Sequence, residues 1–147
     1  MLREERMTKI TERLKTKYLE HVSKFSDTTV MGNVSLSIPA ILAPFQFHYS
    51  DLLRYAGSVS DEMEELYHRK VLMYKTGQSE LSVIDINSSE LKRMIESSED
   101  YRVLKRDYEE CVADMKLVEE MIGTIKNFSF NINNSLKFKE LVGGAAV

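Results

Sequence analysis

Apolar residues return every three or four positions along most of this chain. Between residues 3 and 25, Met7, Ile10, Leu14, Tyr18, Val22 and Phe25 form one such stripe, with Arg, Lys and Glu between them. That spacing predicts an amphipathic helix. The pattern lapses over 26–37, SDTTVMGNVSLS, which reads as a polar connector. Within it Val34, Leu36 and Ile38 alternate with serines, which allows a short strand near 34–38.

Ser37 is placed to cap a second helix with Pro39 in its first turn and Pro44 as a kink or restart. This helix is apolar on nearly all sides: Phe45, Phe47, Tyr49, Leu52, Leu53 and Tyr55 lie within eleven positions. A helix of that kind needs cover on more than one face. The sequence leaves two readings of equal weight, a central core helix and a subunit interface. Gly57 suits a helix stop, and Ser58 with Asp61 a new start, so a third helix is expected from there to Gly77.

Residues 78–89 break the period again. Leu81, Val83, Ile84 and Ile86 fit either a short strand over 81–86 or an apolar loop, and Asn87 with Glu90 fits a capping box. The longest periodic segment follows, from Glu90 to Phe128. Tyr101, Leu104, Tyr108, Cys111, Met115, Val118, Ile122 and Ile125 alternate spacings of three and four. That is the seam of a coiled-coil or bundle helix. Ser97, Ser98 and Asp100 predict a break that splits a short helix from a long one. Asn127–Asn134 reads as a turn or short strand, Ser135–Val142 as a short last helix, and GGAAV as a loose tail. The expected class is all-α, with one long coiled-coil-like helix and several shorter ones. The subunit-interface reading takes Phe45, Phe47, Leu52 and Leu53 together with the seam residues Tyr101, Leu104, Tyr108, Met115, Val118, Ile122 and Ile125.

Bulk properties narrow the partners. The chain has 147 residues, is 43% hydrophobic and 29% charged, and so can support a core. Its net charge is −3, so any nucleic-acid binding must come from a local basic patch or from many copies acting together. A single cysteine, Cys111, excludes an internal disulfide and suits a reducing compartment. The N-terminus MLREERMTK is charged with no apolar run after it, and no segment is long and apolar enough for a membrane helix, so neither a leader nor a membrane role is expected.

Catalytic motifs are not evident. The chain has no glycine-rich phosphate loop. Its three histidines, His21, His48 and His68, fall in different predicted helices, which gives no metal-ligand spacing and no expected metal or cofactor. Cys111 lies on the apolar seam without a histidine on its helix and reads as a small buried hydrophobe. Adjacent carboxylates such as Glu64/Glu65, Glu109/Glu110 and Glu119/Glu120 splay around a helix rather than facing each other. A non-enzymatic protein is expected.

One stretch carries the functional signal. Asp61–Gly77, DEMEELYHRKVLMYKTG, begins acidic and ends basic, as a helix dipole favours. Its second half sets His68, Arg69, Lys70 and Lys75 among Tyr67 and Tyr74. Cations for phosphates beside flat rings for bases are the chemistry of single-stranded nucleic acid. Lys126, Lys137 and Lys139 are secondary basic candidates, more simply read as solvated faces.

The order HYSDLLRYAG, EELYHRKVLMYKTGQ, a short polar loop, then SSELKRMIESSEDYRVLKRDYEECVADMKLVEEMIGTIKN resembles the UvsY recombination mediators of tailed bacteriophages. The resemblance covers residues 37 to the end. It implies two parts, an N-terminal helix and linker over 1–36 and a UvsY-like domain over 37–147. The family's DNA-binding run has the form LKAR-x-DYY before a turn glycine, and HRKVLMYKTG stands in its place here. Arg69 matches the lysine of that run and Tyr74 its first tyrosine. Val71, Met73 and Lys75 replace its arginine, aspartate and second tyrosine, with Lys70 adjacent. The resemblance implies a ring-like homo-oligomer, a hexamer or heptamer, that binds single-stranded DNA. Its implied partners are a RecA-family recombinase (UvsX-like) and the phage single-strand-binding protein, in the cytoplasm of the infected bacterial cell. The alternative is a coiled-coil structural or adaptor subunit with no nucleic-acid role, which the Tyr101–Ile125 seam fits equally well.

Overall fold

A computed structural model describes the backbone of residues 3–25, 31–76 and 87–145, and the side chains of 5–24, 38–76, 87–128, 130 and 131. The order is α1 (Arg3–Phe25), α2 (Met31–Lys75), α3 (Ser88–Ser97) and α4 (Glu99–Ala145). Among the described residues there is no strand, so the class is all-α as expected. The amphipathic first helix has the predicted bounds. The capping box is present: the Asn87 side chain accepts from the Glu90 N–H at 2.9 Å. The chain breaks at Ser98, between α3 and α4, as the sequence predicts.

Several expectations are corrected. Residues 31–38 are helical, which replaces both the connector expected up to 37 and the strand allowed near 34–38. They lead into a series in which Ile38, Phe45, Leu52 and Val59 recur every seven residues and all four are buried. The same series carries the helix through Pro44, Gly57 and Ser58, so the two helices expected over 39–57 and 58–77 are one. Pro39 and Pro44 are exposed, where the carbonyls they leave unbonded can face water. An interior proline costs about 3 kcal/mol, and burial of flanking apolar side chains at about 1.5–3 kcal/mol each offsets it. Gly57 is exposed, and a Cβ there would meet nothing within 4 Å, so it neither stops the helix nor serves a close contact. At the far end, α4 absorbs both the expected turn over 127–134 and the short helix over 135–142. Val118, Met121, Ile125 and Phe128 keep the three-four spacing directly up to that region, with the first three buried. The backbone of the expected tail is also helical as far as Ala145. The strand-or-loop alternative over 81–86 lies outside the described residues.

The chain forms two compact units. One comprises Met1–Leu52 and Asp114–Val147. Its core holds Leu14, Ile38, Phe45, Leu52, Val118, Met121 and Ile125. Two polar residues, Thr11 and His48, are buried among them at 2% and 3% exposure. Thr11 Oγ1 lies 2.8 Å from His48 Nε2, 3.1 Å from the Met7 carbonyl and 3.4 Å from Asp114 Oδ2. The hydroxyl has one proton, and the carbonyl and the carboxylate can only accept it. A proton given to either acceptor leaves the oxygen free to accept from the Nε2–H of His48, the tautomer whose Nδ1 carries no proton. That Nδ1 is buried and has no hydrogen-bond partner. The second unit, Leu53–Ala113, buries Tyr55, Ala56, Val59, Ile95 and Cys111. Tyr55 donates to Asp107 Oδ2 and ties α2 to α4. Cys111, 4% exposed, is the small buried side chain that the seam predicts.

Burial lowers the pKa of His48 from 6.5, and the Asp51 carboxylate only partly opposes the shift. Below about pH 6.5 the unfolded chain therefore takes up a proton that the folded core refuses, and stability falls as pH drops. His21, also lowered, acts in the same direction. In urea unfolding at pH 7.5 and pH 5.8, the wild-type midpoint is expected to fall at the lower pH, and to fall less in His48→Gln. Equal falls would contradict the assignment.

Candidate nucleic-acid interface

The second half of α2 separates the predicted contact residues onto different faces. Tyr67, Lys70 and Tyr74 are three and four residues apart and half-buried, whereas His68, Arg69 and Lys75 are exposed. Leu72 at 63% and Met73 at 39% exposure lie between these outward cations. Lys75 sits in the last helical turn, where the dipole favours a cation. The next residue, Thr76, closes the end by donating its N–H and its hydroxyl to the Leu72 carbonyl, at 2.9 and 2.6 Å.

Lys70 is committed within the unit. Its Nζ lies 3.0 Å from Asp100 Oδ1, and its side chain is only 17% exposed. Asp100 lies in the first turn of α4 and also accepts from the Tyr101 N–H at 3.0 Å. Desolvation raises the pKa of Asp100, but the bonds from Lys70, Ser98 and Tyr101 outweigh it and hold the carboxyl below 3.8. Arg69 lines a hollow of about 500 Å³ with Glu62, Glu65, Leu66, Asp100, Val103 and Leu104. Three carboxylates make that a poor seat for phosphate. His68 lies 3.7 Å from Glu64. Of the six residues predicted to touch DNA, Lys75 is the exposed cation furthest from this acidic company in sequence.

The first turns of α4 present cations that the apolar period conceals in the sequence. Arg102, Lys105 and Arg106 are exposed and line a hollow of about 270 Å³ with Glu96 and Glu109. Their signal is RVLKRDY, three basic residues within five positions beside a tyrosine. In the sequence it reads only as part of the seam, because Leu104 and Tyr108 keep the period. Both uses hold at once: Leu104 and Tyr108 are half-buried while the three cations point outward.

The remaining candidates are spread through the molecule. Lys126 is exposed beside a hollow of about 380 Å³ lined by Gln46, Tyr49, Ser50, Glu119 and Ile122. Lys137 and Lys139 lie on the α4 backbone, and their side chains are outside the described residues. Among the predicted interface residues, Phe45, Leu52, Val118 and Ile125 are at most 1% exposed, so the chain's own core takes them and leaves no surface for a second subunit. Tyr101, Leu104, Tyr108, Met115 and Ile122 are half-buried. Phe47 at 72% and Leu53 at 54% exposure are open. His48 and His68 share α2 rather than separate helices, and no group of three His, Cys, Asp or Glu suited to a metal ion occurs among the described residues.

Helix faces that carry outward cations over an apolar interior suit a polyanion. The family model for "Recombination, repair and ssDNA binding protein UvsY" matches residues 18–145. The chain therefore belongs to the UvsY family of recombination, repair and ssDNA-binding proteins. Comparison with curated proteins and with solved structures finds no match. No helix among the described residues is long and apolar enough to cross a membrane.

The Lys70–Asp100 pair makes Lys70 a structural residue first. In Lys70→Ala the Asp100 carboxyl is expected to titrate at higher pH than in the wild type, as read by NMR of its side-chain carbonyl. An unchanged titration would mean that the pair does not form in solution.

Proposed function

We propose that the protein is a recombination mediator that works by binding alone. It coats single-stranded DNA as a ring-like homo-oligomer and helps a RecA-family recombinase displace the single-strand-binding protein in the infected bacterial cell. The observation that carries this reading is the family match over nearly the whole chain, residues 18–145. The exposed cations of α2 and α4 support it, and the seven-residue spacing of buried side chains supports coiled-coil packing.

The physical logic follows from charge. A chain with a net charge of −3 binds DNA weakly through any one patch. Repeating the patch around an oligomer turns later binding events into intramolecular ones and raises avidity without new chemistry. Preference for one conformation of the strand then shifts its exchange between two coating proteins, with no bond made or broken. Of the residues expected at a subunit interface, Phe47 and Leu53 are exposed apolar side chains able to meet a second subunit.

Fluorescence anisotropy with labelled poly-dT, with light scattering on the same samples, tests the proposal. An oligomer should bind with affinity that falls steeply as salt rises. Replacing Lys75, Lys105 and Arg106 with Ala should reduce the slope of log affinity against log salt by about 0.7 for each phosphate no longer neutralised. A folded oligomer with no affinity for poly-dT would return the chain to an adaptor role.

A further inference from the structure

Helix α1 has seven basic residues against four acidic ones, and its charges are sorted by face. Its inward side is set by Thr11 and Leu14, both buried, with Met7, Ile10, Tyr18, His21 and Val22 half-buried. At about 100° per residue, Arg6, Lys9, Arg13, Lys17 and Lys24 fall within a sector of about 80° on one flank. All five are exposed. Glu20 is the one acid in that sector, while Glu5 and Glu12 lie on the other flank. From Arg6 to Lys24 the stripe runs about 27 Å along the helix at about 1.5 Å per residue.

A solvated helix face ordinarily interleaves opposite charges at three- and four-residue spacing. Here Arg6 and Arg13 have no acid at that spacing and Arg13 has Lys9 and Lys17 beside it, a surplus that an anionic partner would relieve. Glu5 and Glu12 adjoin Lys9, and Glu20 adjoins Lys17 and Lys24. Half-buried His21 senses the same field: burial lowers its pKa first, Lys24 and Lys17 lower it further, and Glu20 only partly opposes them. Arg6, Lys9, Arg13 and Lys17 also precede residue 18, where the family match begins.

We propose that this flank of α1 is a second phosphate-tracking surface for single-stranded nucleic acid, in addition to the outward cations of α2 and α4. The proposal rests on the single-stranded-DNA reading above. A row of cations along one straight flank takes successive phosphates of an extended strand without reading its bases, so the binding it adds is salt-sensitive and indifferent to sequence.

The test compares poly-dT affinity across salt for the full chain and three variants. In R6Q/K9Q/R13Q/K17Q, with helicity checked by circular dichroism, the salt slope should drop by at least about 1.4, equivalent to two phosphates at about 0.7 each. The charge-preserving R6K/K9R/R13K/K17R should keep the wild-type slope, and so should Lys15→Gln on the other flank. A wild-type slope in the glutamine variant overturns the inference while leaving the single-stranded-DNA reading intact. If that variant instead loses only its retention on a poly-glutamate matrix, the stripe serves an acidic polypeptide and the inference also falls. Absence of poly-dT binding by the wild type would remove the reading on which it rests.

Discussion

The architecture depends on one repeated burial. Ile38, Phe45, Leu52 and Val59 on α2, and Cys111, Val118 and Ile125 on α4, return to the same side of their helices every seven residues and are at most 4% exposed. Such a recurrence commits one face of each helix to the interior over many turns and leaves the rest to polar groups. It also explains why α2 tolerates two prolines and a glycine. Each local defect costs about 1–3 kcal/mol, and the apolar side chains buried on either side supply comparable or larger stabilisation. Polar groups caught inside then fix how the helices meet. Thr11 bridges His48 on α2 and Asp114 on α4, while Tyr55 holds Asp107. Each such bond contributes about 0.5–1.5 kcal/mol, but leaving either partner buried and unbonded would cost more, so these pairs select one packing over its neighbours.

With one apolar face of each helix committed to the interior, attraction for DNA is left to charge sorted around the helices. A net charge of −3 gives no general attraction for DNA, so what counts is where the cations stand. Lys70 is held by Asp100 and Arg69 faces three carboxylates, whereas Lys75 and the Arg102–Lys105–Arg106 group look outward. The run that stands in place of the family motif therefore divides its labour. Its half-buried members build the second unit, and of its outward members Lys75 is the furthest in sequence from the carboxylates beside His68 and Arg69.

Much of this is legible in the sequence. The bounds of α1, the Asn87 cap and the break at Ser98 follow from spacing and capping chemistry, both of which are local. Sequence and structure part where local signals oppose a longer period. Pro44, Gly57 and Ser58 spell a boundary to any local rule, yet a seven-residue series spanning them decides the outcome. NFSFNINN alternates like a strand, but it follows directly on the α4 series and has no strand to pair with among the described residues. The site is legible by residue type and not by direction. Nothing in HRKVLMYKTG announces that Lys70 would meet a carboxylate thirty positions on, and the cations of RVLKRDY are hidden by the apolar period they share.

On the proposed function, outward cations, and not the whole basic run, hold single-stranded DNA. Lysine acetylation read by mass spectrometry, with and without bound poly-dT, addresses it residue by residue. DNA is expected to protect Lys75 and Lys105, while Lys70 reacts slowly in both states because Asp100 already holds it. Strong DNA protection of an otherwise reactive Lys70, with Lys75 and Lys105 unchanged, would instead place the strand on the inward half of the run.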